Sequence, residues 1–268
     1  MGGVSLVLHC QGAHRNGTSG TYARGVDHIT TLTEFNDERG NRIIYDGPPV
    51  TVGVNIYFRG SNNTLRVAAG AKVGRLSVSF DCDNGRCEIG SHDAVPAIKA
   101  TIRVGQDAAV LVGDDVSMTE TCGMSAVEGA TIRIGDDVMF ASGNQLRADD
   151  GHPIFDVATG QRVNPARDIT IGNHVWVGLR AILLAGATVG DGTVIGLGSI
   201  VTGPVPNNCV AAGAPARVVR KHVAWERPHL SLVEPYYKPD GDTVTRSPYW
   251  NLTEEAPRPS RMRRLLRR

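Results

Sequence analysis

The chain reads as an all-β protein wound into a parallel β-helix, a solenoid of short strands and tight turns, and three observations predict this fold. The first is a period of six: Ile171, Val177, Leu183, Val189, Ile195 and Val201 follow one another at that interval. The second is glycine directly after the aliphatic residue in four of the six hexads, at Gly172, Gly178, Gly190 and Gly196. The third is a small or β-branched residue four places on in all six, namely Val175, Ala181, Ala187, Thr193, Ser199 and Val205. In a chain that is 41% hydrophobic, six aliphatic hits from one given start arise by chance about half a percent of the time, so the pattern is a repeat.

Residues 1–60 alternate short apolar runs with Gly and Asn, which predicts irregular β structure. The solenoid is assigned to 61–222, with Val67, Val73 and Val78 as candidate core residues near its start. The six-residue phase then runs loosely through Ile98, Val104, Val110, Val116, Cys122 and Ile134 to Phe140, and it lapses at Glu128. Between Phe140 and Ile171 the phase slips by one residue, which marks 141–168 as an insert. Asn144, Asp149, Asp150, Gly151, His152, Pro153 and Asp156 crowd together there, the composition of a loop.

In the dense hexads after the insert, six residues are too few for a helix and a strand, so each unit is one short strand and one turn. The aliphatic side chain points into the coil, glycine relieves backbone crowding beside it, and the small residue lets the chain turn a corner. Three hexads close a triangular coil of about 18 residues, with stacking burying what a lone hexad cannot. This reasoning leaves the hand of the coil open. Beyond Arg220 the hexads stop. Residues 223–268, rich in Pro, Tyr and Arg, form an extension expected to wrap outside the coils or onto a neighbouring subunit. It closes on a basic tail of Arg261, Arg263, Arg264, Arg267 and Arg268, read as a solvated end.

A net charge of +1 with 21% charged residues gives no global pull toward nucleic acid or a membrane surface. The five cysteines are odd in number and contain no Cys-x-x-Cys pair, which points to a reducing compartment. Cys82 and Cys87 flank a turn, but a disulfide or metal there is the lesser reading. No apolar run approaches the length of a membrane span. A soluble cytoplasmic protein is expected.

Four stretches, taken in order, carry a family resemblance: Ile171-Gly-Asn-His-Val-Trp-Val-Gly178, Gly186-Ala-Thr-Val-Gly-Asp191, Ile195-Gly-Leu-Gly-Ser-Ile-Val-Thr202 and Ala212-Gly-Ala-Pro-Ala-Arg217. The chain resembles the hexapeptide-repeat acyltransferases of the left-handed β-helix class. Its likeness is greatest to the sugar and polysaccharide O-acetyltransferases, through Asp150-Gly-His-Pro-Ile-Phe-Asp156 and Thr159-Gly-Gln-Arg-Val-Asn164 in the insert. The resemblance is dense over about residues 130–222 and loose over 60–130. It implies the left hand, a homotrimer, acetyl-CoA or another acyl-CoA as donor and a saccharide acceptor, with no metal.

Acyl transfer to a sugar hydroxyl needs a base, because the hydroxyl is a poor nucleophile at neutral pH. His152 suits that role, an imidazole being poised near neutrality. A neighbouring carboxylate would orient its ring; Asp149 is preferred over Asp150 because it stands further along the chain and can turn back. The oxyanion of the tetrahedral intermediate needs a donor, either a backbone N–H or the indole N–H of Trp176. His174, within a hexad, is read as an outward-facing structural residue. For the donor, the resemblance implies a groove between coils lined by Gly178, Ala181, Gly196, Ser199 and Thr202, with Arg217 and Arg220 at the CoA phosphates. Gly203 and Leu179 depart from the residues common in relatives beside this groove.

Three other readings compete. A metal-dependent carbonic anhydrase on the same kind of coil needs three converging histidines, whereas His92, His152 and His174 include no close pair. A non-catalytic glycan-binding or scaffold solenoid would be indifferent to loss of His152. An N-acyltransferase acting on an amino sugar would share the donor site and differ in its acceptor.

Overall fold

The computed structural model describes residues 25–253. Among the described residues, three sheets form the walls of a triangular prism, each parallel except for one antiparallel strand at one end. Sheet I has nine strands and includes Ala109–Val112, Thr131–Ile134, Ile169–Ile171 and Thr188–Val189. Sheet II has six strands, among them Ser117–Met118, Met139–Phe140, Trp176–Val177 and Cys209–Gly213. Sheet III has eight, among them Ile98–Val104, Cys122–Ala126, Gln145–Arg147 and Ile182–Leu184. The chain passes from sheet I to II to III in each complete coil, then returns to sheet I one level on.

The hexad residues do what their spacing predicts. Ile171, Val177, Leu183, Val189, Ile195 and Val201 are all buried in one continuous core, and so are all six residues four places on. Cys122 takes an aliphatic place in the pattern; it is wholly buried, and burial pushes its thiol up to about 12.

The 18-residue coil holds only after the insert. There Thr170 pairs with Thr188, but upstream Ala109 pairs with Thr131 and Ala100 with Cys122, a repeat of 22. The extra four residues lie at one corner, between sheets III and I. From Met124 to Ile134 the chain takes ten steps, and the structurally equivalent passage from Leu183 to Val189 takes six. Glu128 and Gly129, both with left-handed φ, make the wider turn, which is why the six-residue phase lapses at Glu128.

The solenoid also begins earlier than the spacing implies. Arg42–Ile44 already pairs parallel with Thr64–Val67, and Val54–Phe58 with Val73–Phe80, so coils occupy part of the segment read as irregular. Similarly, Gln145–Arg147 is a coil strand between Cys122–Ala126 and Ile182–Leu184; the excursion proper starts after it.

Glycine after the aliphatic residue has a sharper role than relief of crowding. At the corner between sheets I and II, side chains stack as a ladder. Asp136 Oδ1 accepts from Asp114 N, Asn173 Oδ1 from Asp136 N, Asp191 Oδ1 from Asn173 N and Asn207 Oδ1 from Asp191 N, at 2.6–2.8 Å. A Cβ on Gly113, Gly135, Gly172 or Gly190 would lie 2.2–2.5 Å from the ladder oxygen of the next coil. Glycine is therefore required where one coil's carboxylate or amide reaches the backbone of the coil before it.

The described part of the extension lies against sheet II, outside the coils. Ala216–Lys221 folds back antiparallel on Cys209–Gly213, and Trp225 is buried against the solenoid. The basic tail lies outside the described residues. Among the described residues, no helix is long and apolar enough to cross a membrane.

Candidate active site

The excursion leaves the coil at the corner between sheets III and I, where upstream coils carry their wider turn. It is a short hairpin: Phe155 bridges Arg162, and Val163 N donates to Ile154 O at 2.9 Å. The Asp156 carboxylate closes the tip by accepting from Ala158 N, Thr159 N and the Thr159 hydroxyl, and these bonds hold its pKa below the usual range. Asn164 fixes the base of the hairpin. Its Nδ2 donates to His152 O and Asp150 Oδ2, both at 2.9 Å, and its Oδ1 accepts from Ile154 N. Arg162 ties the hairpin to the adjacent wide turn through Glu128 at 2.8 Å, and that bond lowers the Glu128 pKa. His152 thus has a main-chain carbonyl held by Asn164 and an exposed side chain.

Asp149 and Asp150 are separated clearly. Asp149 is 4% exposed; it accepts from Ser125 Oγ at 2.6 Å and from Gly151 N at 3.0 Å, and Arg103 Nη1 approaches it to 3.6 Å. Asp150 is exposed and spends its carboxylate on Asn164. His152, Asp149, Arg103 and Arg162 line one cavity of about 190 Å³, but no hydrogen bond joins Asp149 to His152. Arg103 and Ser125 escape a local reading of sequence. They arrive from sheet III, where Arg103, Ser125 and Arg147 form one outward row at 22-residue spacing.

Trp176 stands elsewhere, on sheet II, 39% exposed and 6.0 Å from Trp225. It lines a different cavity from the one that His152 lines, so a single chain does not bring the two together. Among the described residues its indole N–H has no hydrogen-bond partner.

The residues expected at a donor groove divide into two groups. Ala181 and Ser199 are wholly buried, and the Ser199 hydroxyl donates to Gly196 O at 2.7 Å, so these two side chains face the coil interior and do not line a groove. Gly178 and Gly196 sit at the same corner, between sheets II and III, beside the exposed Leu179 and Leu197. A Cβ at Gly178 would meet the Ile195 carbonyl at 2.6 Å, which accounts for that glycine by coil stacking alone. Thr202, Arg217 and Arg220 are exposed.

His174 is structural, though covered and not outward-facing to solvent. Its Nδ1–H donates to Asp137 Oδ2 at 2.5 Å and its Nε2–H to Trp225 O at 2.9 Å, and its ring stacks on Trp225 and Tyr249. Both partners are acceptors only, so both ring nitrogens carry protons. Burial alone would push this imidazole down, but the Asp137 and Trp225 bonds outweigh it and hold the pKa above 6.5. His92 Nε2 meets Val116 O, and among the described residues no group of three metal-ligating side chains converges.

Against known proteins, the solved structure of the polySia specific acetyltransferase NeuO matches this chain with 31% identity and a TM-score of 0.59. The match covers 73% of this chain and 93% of that one. The chain belongs to the hexapeptide-repeat acetyltransferase family. Its fold is accordingly the left-handed parallel β-helix of that family. Two hexapeptide-repeat relatives match by sequence: the polysialic acid O-acetyltransferase of Escherichia coli O1:K1, 37% identical over 135 residues, and the galactoside O-acetyltransferase of Escherichia coli K12, 42% identical over 98. These matches cover 50% and 37% of this chain, and 41% and 48% of the relatives, so the chain spans under half the length of each. No protein-family model matches the chain.

Proposed function

We propose that this hexapeptide-repeat protein transfers an acetyl group from acetyl-CoA to a hydroxyl of a saccharide, with His152 as general base. The observation that carries this reading is the cavity at the foot of the insert, where an exposed imidazole shares a wall with a buried carboxylate. The names of the relatives, O-acetyltransferases of polysialic acid and of galactosides, supply the substrate class.

His152 takes the proton of the attacking hydroxyl, and the alkoxide oxygen forms a bond to the thioester carbonyl carbon. Asp149, anchored by Ser125 and Gly151, stabilises the imidazolium once the insert closes on substrate. The Trp176 indole N–H donates to the tetrahedral oxyanion. Collapse breaks the carbon–sulfur bond, and His152 returns its proton to the departing thiolate. The surface beside Gly178 and Gly196, where Leu179 and Leu197 are exposed, receives the pantetheine arm together with Thr202, and Arg217 and Arg220 meet the phosphates.

His152 and Trp176 line separate cavities in one chain, which supports a site shared between copies of a homotrimer. Mixing His152→Ala with Trp176→Ala subunits tests this. Each variant alone is expected to be inactive, and mixed assemblies regain activity if the site is shared; no recovery in assemblies shown to contain both subunits removes the shared site. Transfer itself is read by mass spectrometry, as an acceptor gaining one acetyl group and losing it again on mild base treatment. A base-stable product would assign the acyl group to an amine.

A further inference from the structure

All three tryptophans of the chain wall one cavity of about 540 Å³ between sheet II and the extension. Trp176 belongs to the coil, whereas Trp225 and Trp250 come from the extension, and Met139, Leu230 and Val244 complete the apolar lining. Such a pocket, with aromatic faces and a polar rim, is the ordinary design of a small-molecule site.

The rim decides what enters. Its cations are engaged within the fold. Arg227 donates to the Asp137 carboxylate, to Ser117 Oγ at 2.8 Å and to Asp115 O at 3.1 Å. Lys238 donates to the carbonyls of His229, Val233 and Pro235 at 2.6–3.1 Å, which uses all three ammonium protons. Its carboxylates are not saturated. Asp240 Oδ1 accepts from Asp242 N, and Glu226 Oε1 accepts from Ser247 N and the Trp250 indole; among the described residues the second oxygen of each has no partner. The Trp225 indole N–H is taken by His174 O, so the Trp176 N–H is the free indole donor of the three.

Among the described residues the open polar groups are therefore the second carboxylate oxygens, the Trp176 N–H, the His229 Nε2 and two N–H groups of Arg227, whereas every Lys238 proton is used. The carboxylate oxygens match hydroxyl donors, and because Arg227 and Lys238 only balance Glu226 and Asp240 the rim offers no net positive charge to a ligand that carries a carboxylate, sulfate or phosphate. The aromatic faces match the C–H face of a pyranose ring.

We propose that this pocket is the acceptor subsite and that the acceptor is a neutral saccharide, in contrast to the acidic polymer named for the polysialic acid relative. This rests on the transferase reading above, because Trp176 joins the subsite to the reacting centre.

The test has two arms on the full-length protein. In the first, the wild-type tryptophan fluorescence is titrated with neutral oligosaccharides and with their sialylated counterparts, without acetyl-CoA. Neutral ligands are expected to shift the emission and sialylated ones to leave it unchanged. In the second, thiol release is measured for Trp250→Phe and for Leu230→Trp, the latter a filling change at a residue 67% exposed. The acceptor KM is expected to rise at least tenfold while the acetyl-CoA KM stays within about twofold. Preference for the acidic acceptors, or an acceptor KM unmoved in both variants, overturns the proposal and leaves the transferase standing. So does a Leu230→Trp change confined to acyl-chain preference, which would make the pocket an acyl site. A fluorescence response to neutral sugars with no thiol release for any acceptor would remove the transferase and keep a neutral-saccharide pocket.

Discussion

His174 Nδ1 lies 2.5 Å from Asp137 Oδ2, and the same imidazole holds the Trp225 carbonyl through its other nitrogen. Together with Arg227, which bonds Asp137, Ser117 and Asp115, this side chain fastens the extension to the solenoid and holds Trp225 in the wall of the tryptophan-lined cavity.

The fastening depends on pH in a defined sense. The His174 pKa is raised from 6.5, so its contribution is fully present below that value and is lost as pH rises through the folded value. Burial would raise the Asp137 pKa, but hydrogen bonds from His174 and Arg227 hold it below 3.8, so its contribution is present above 3.8 and lost as pH falls through the folded value. The anchor is therefore strongest between these limits. His174→Gln is expected to lower Tm most near pH 6, with a smaller difference from wild type near pH 9, as read by paired melting curves. An equal difference at both pH values would contradict a charged anchor.

The ladder at the corner of sheets I and II predicts unequal costs for small changes. Gly135→Ala places a methyl group 2.5 Å from Asn173 Oδ1 and 2.8 Å from the Gly172 backbone, and is expected to cost about 1–3 kcal/mol by overpacking. Asn173→Ala takes the acceptor from an Asp136 N–H that water can reach, at about 0.5–1.5 kcal/mol. Gly129→Ala meets nothing within 4 Å, and its cost comes from left-handed φ alone, about 1 kcal/mol. Urea unfolding midpoints give the ranking.

Asp149 and Asp150 differ in their partners, so their variants should differ in rate. Asp149→Asn is expected to lower kcat/KM at least a hundredfold, the scale of a lost acid–base partner, because it faces the cavity of His152. Asp150→Asn keeps an acceptor for Asn164 and should stay within about threefold of wild type. Steady-state kinetics with a saturating donor separates them.

Arg162→Ala removes the tie between the hairpin and Glu128. The expected result is faster proteolytic nicking of the insert and a fall in kcat of about tenfold from lost positioning, with Tm nearly unchanged because the pair is largely solvated. Limited proteolysis beside the kinetics checks both.

The dense hexads were legible because a coil of three equal sides repeats its core residues at one fixed interval. The upstream coils hid behind the same rule: four extra residues at a single corner, around Glu128 and Gly129, break the phase although every wall still stacks. His152 and Asp149 could be proposed together because they stand three residues apart in one loop, and both line the same cavity. Arg103 and Ser125 could not, since they reach that loop only through a 22-residue register. The extension was the least legible segment. Its anchor joins residues 51 apart through a histidine whose partners no local pattern discloses. Ala181 and Ser199 show the opposite error: residue type and position matched a groove, and burial turned both into the coil.

The central claim is tested most directly by release of free CoA thiol from acetyl-CoA with a panel of mono- and oligosaccharides, comparing wild type with His152→Ala. The prediction is acceptor-dependent release by wild type that falls at least a hundredfold in the variant while acetyl-CoA still binds. Equal turnover by the variant would remove His152 as the base, and wild-type silence with every acceptor would contradict saccharide acetylation.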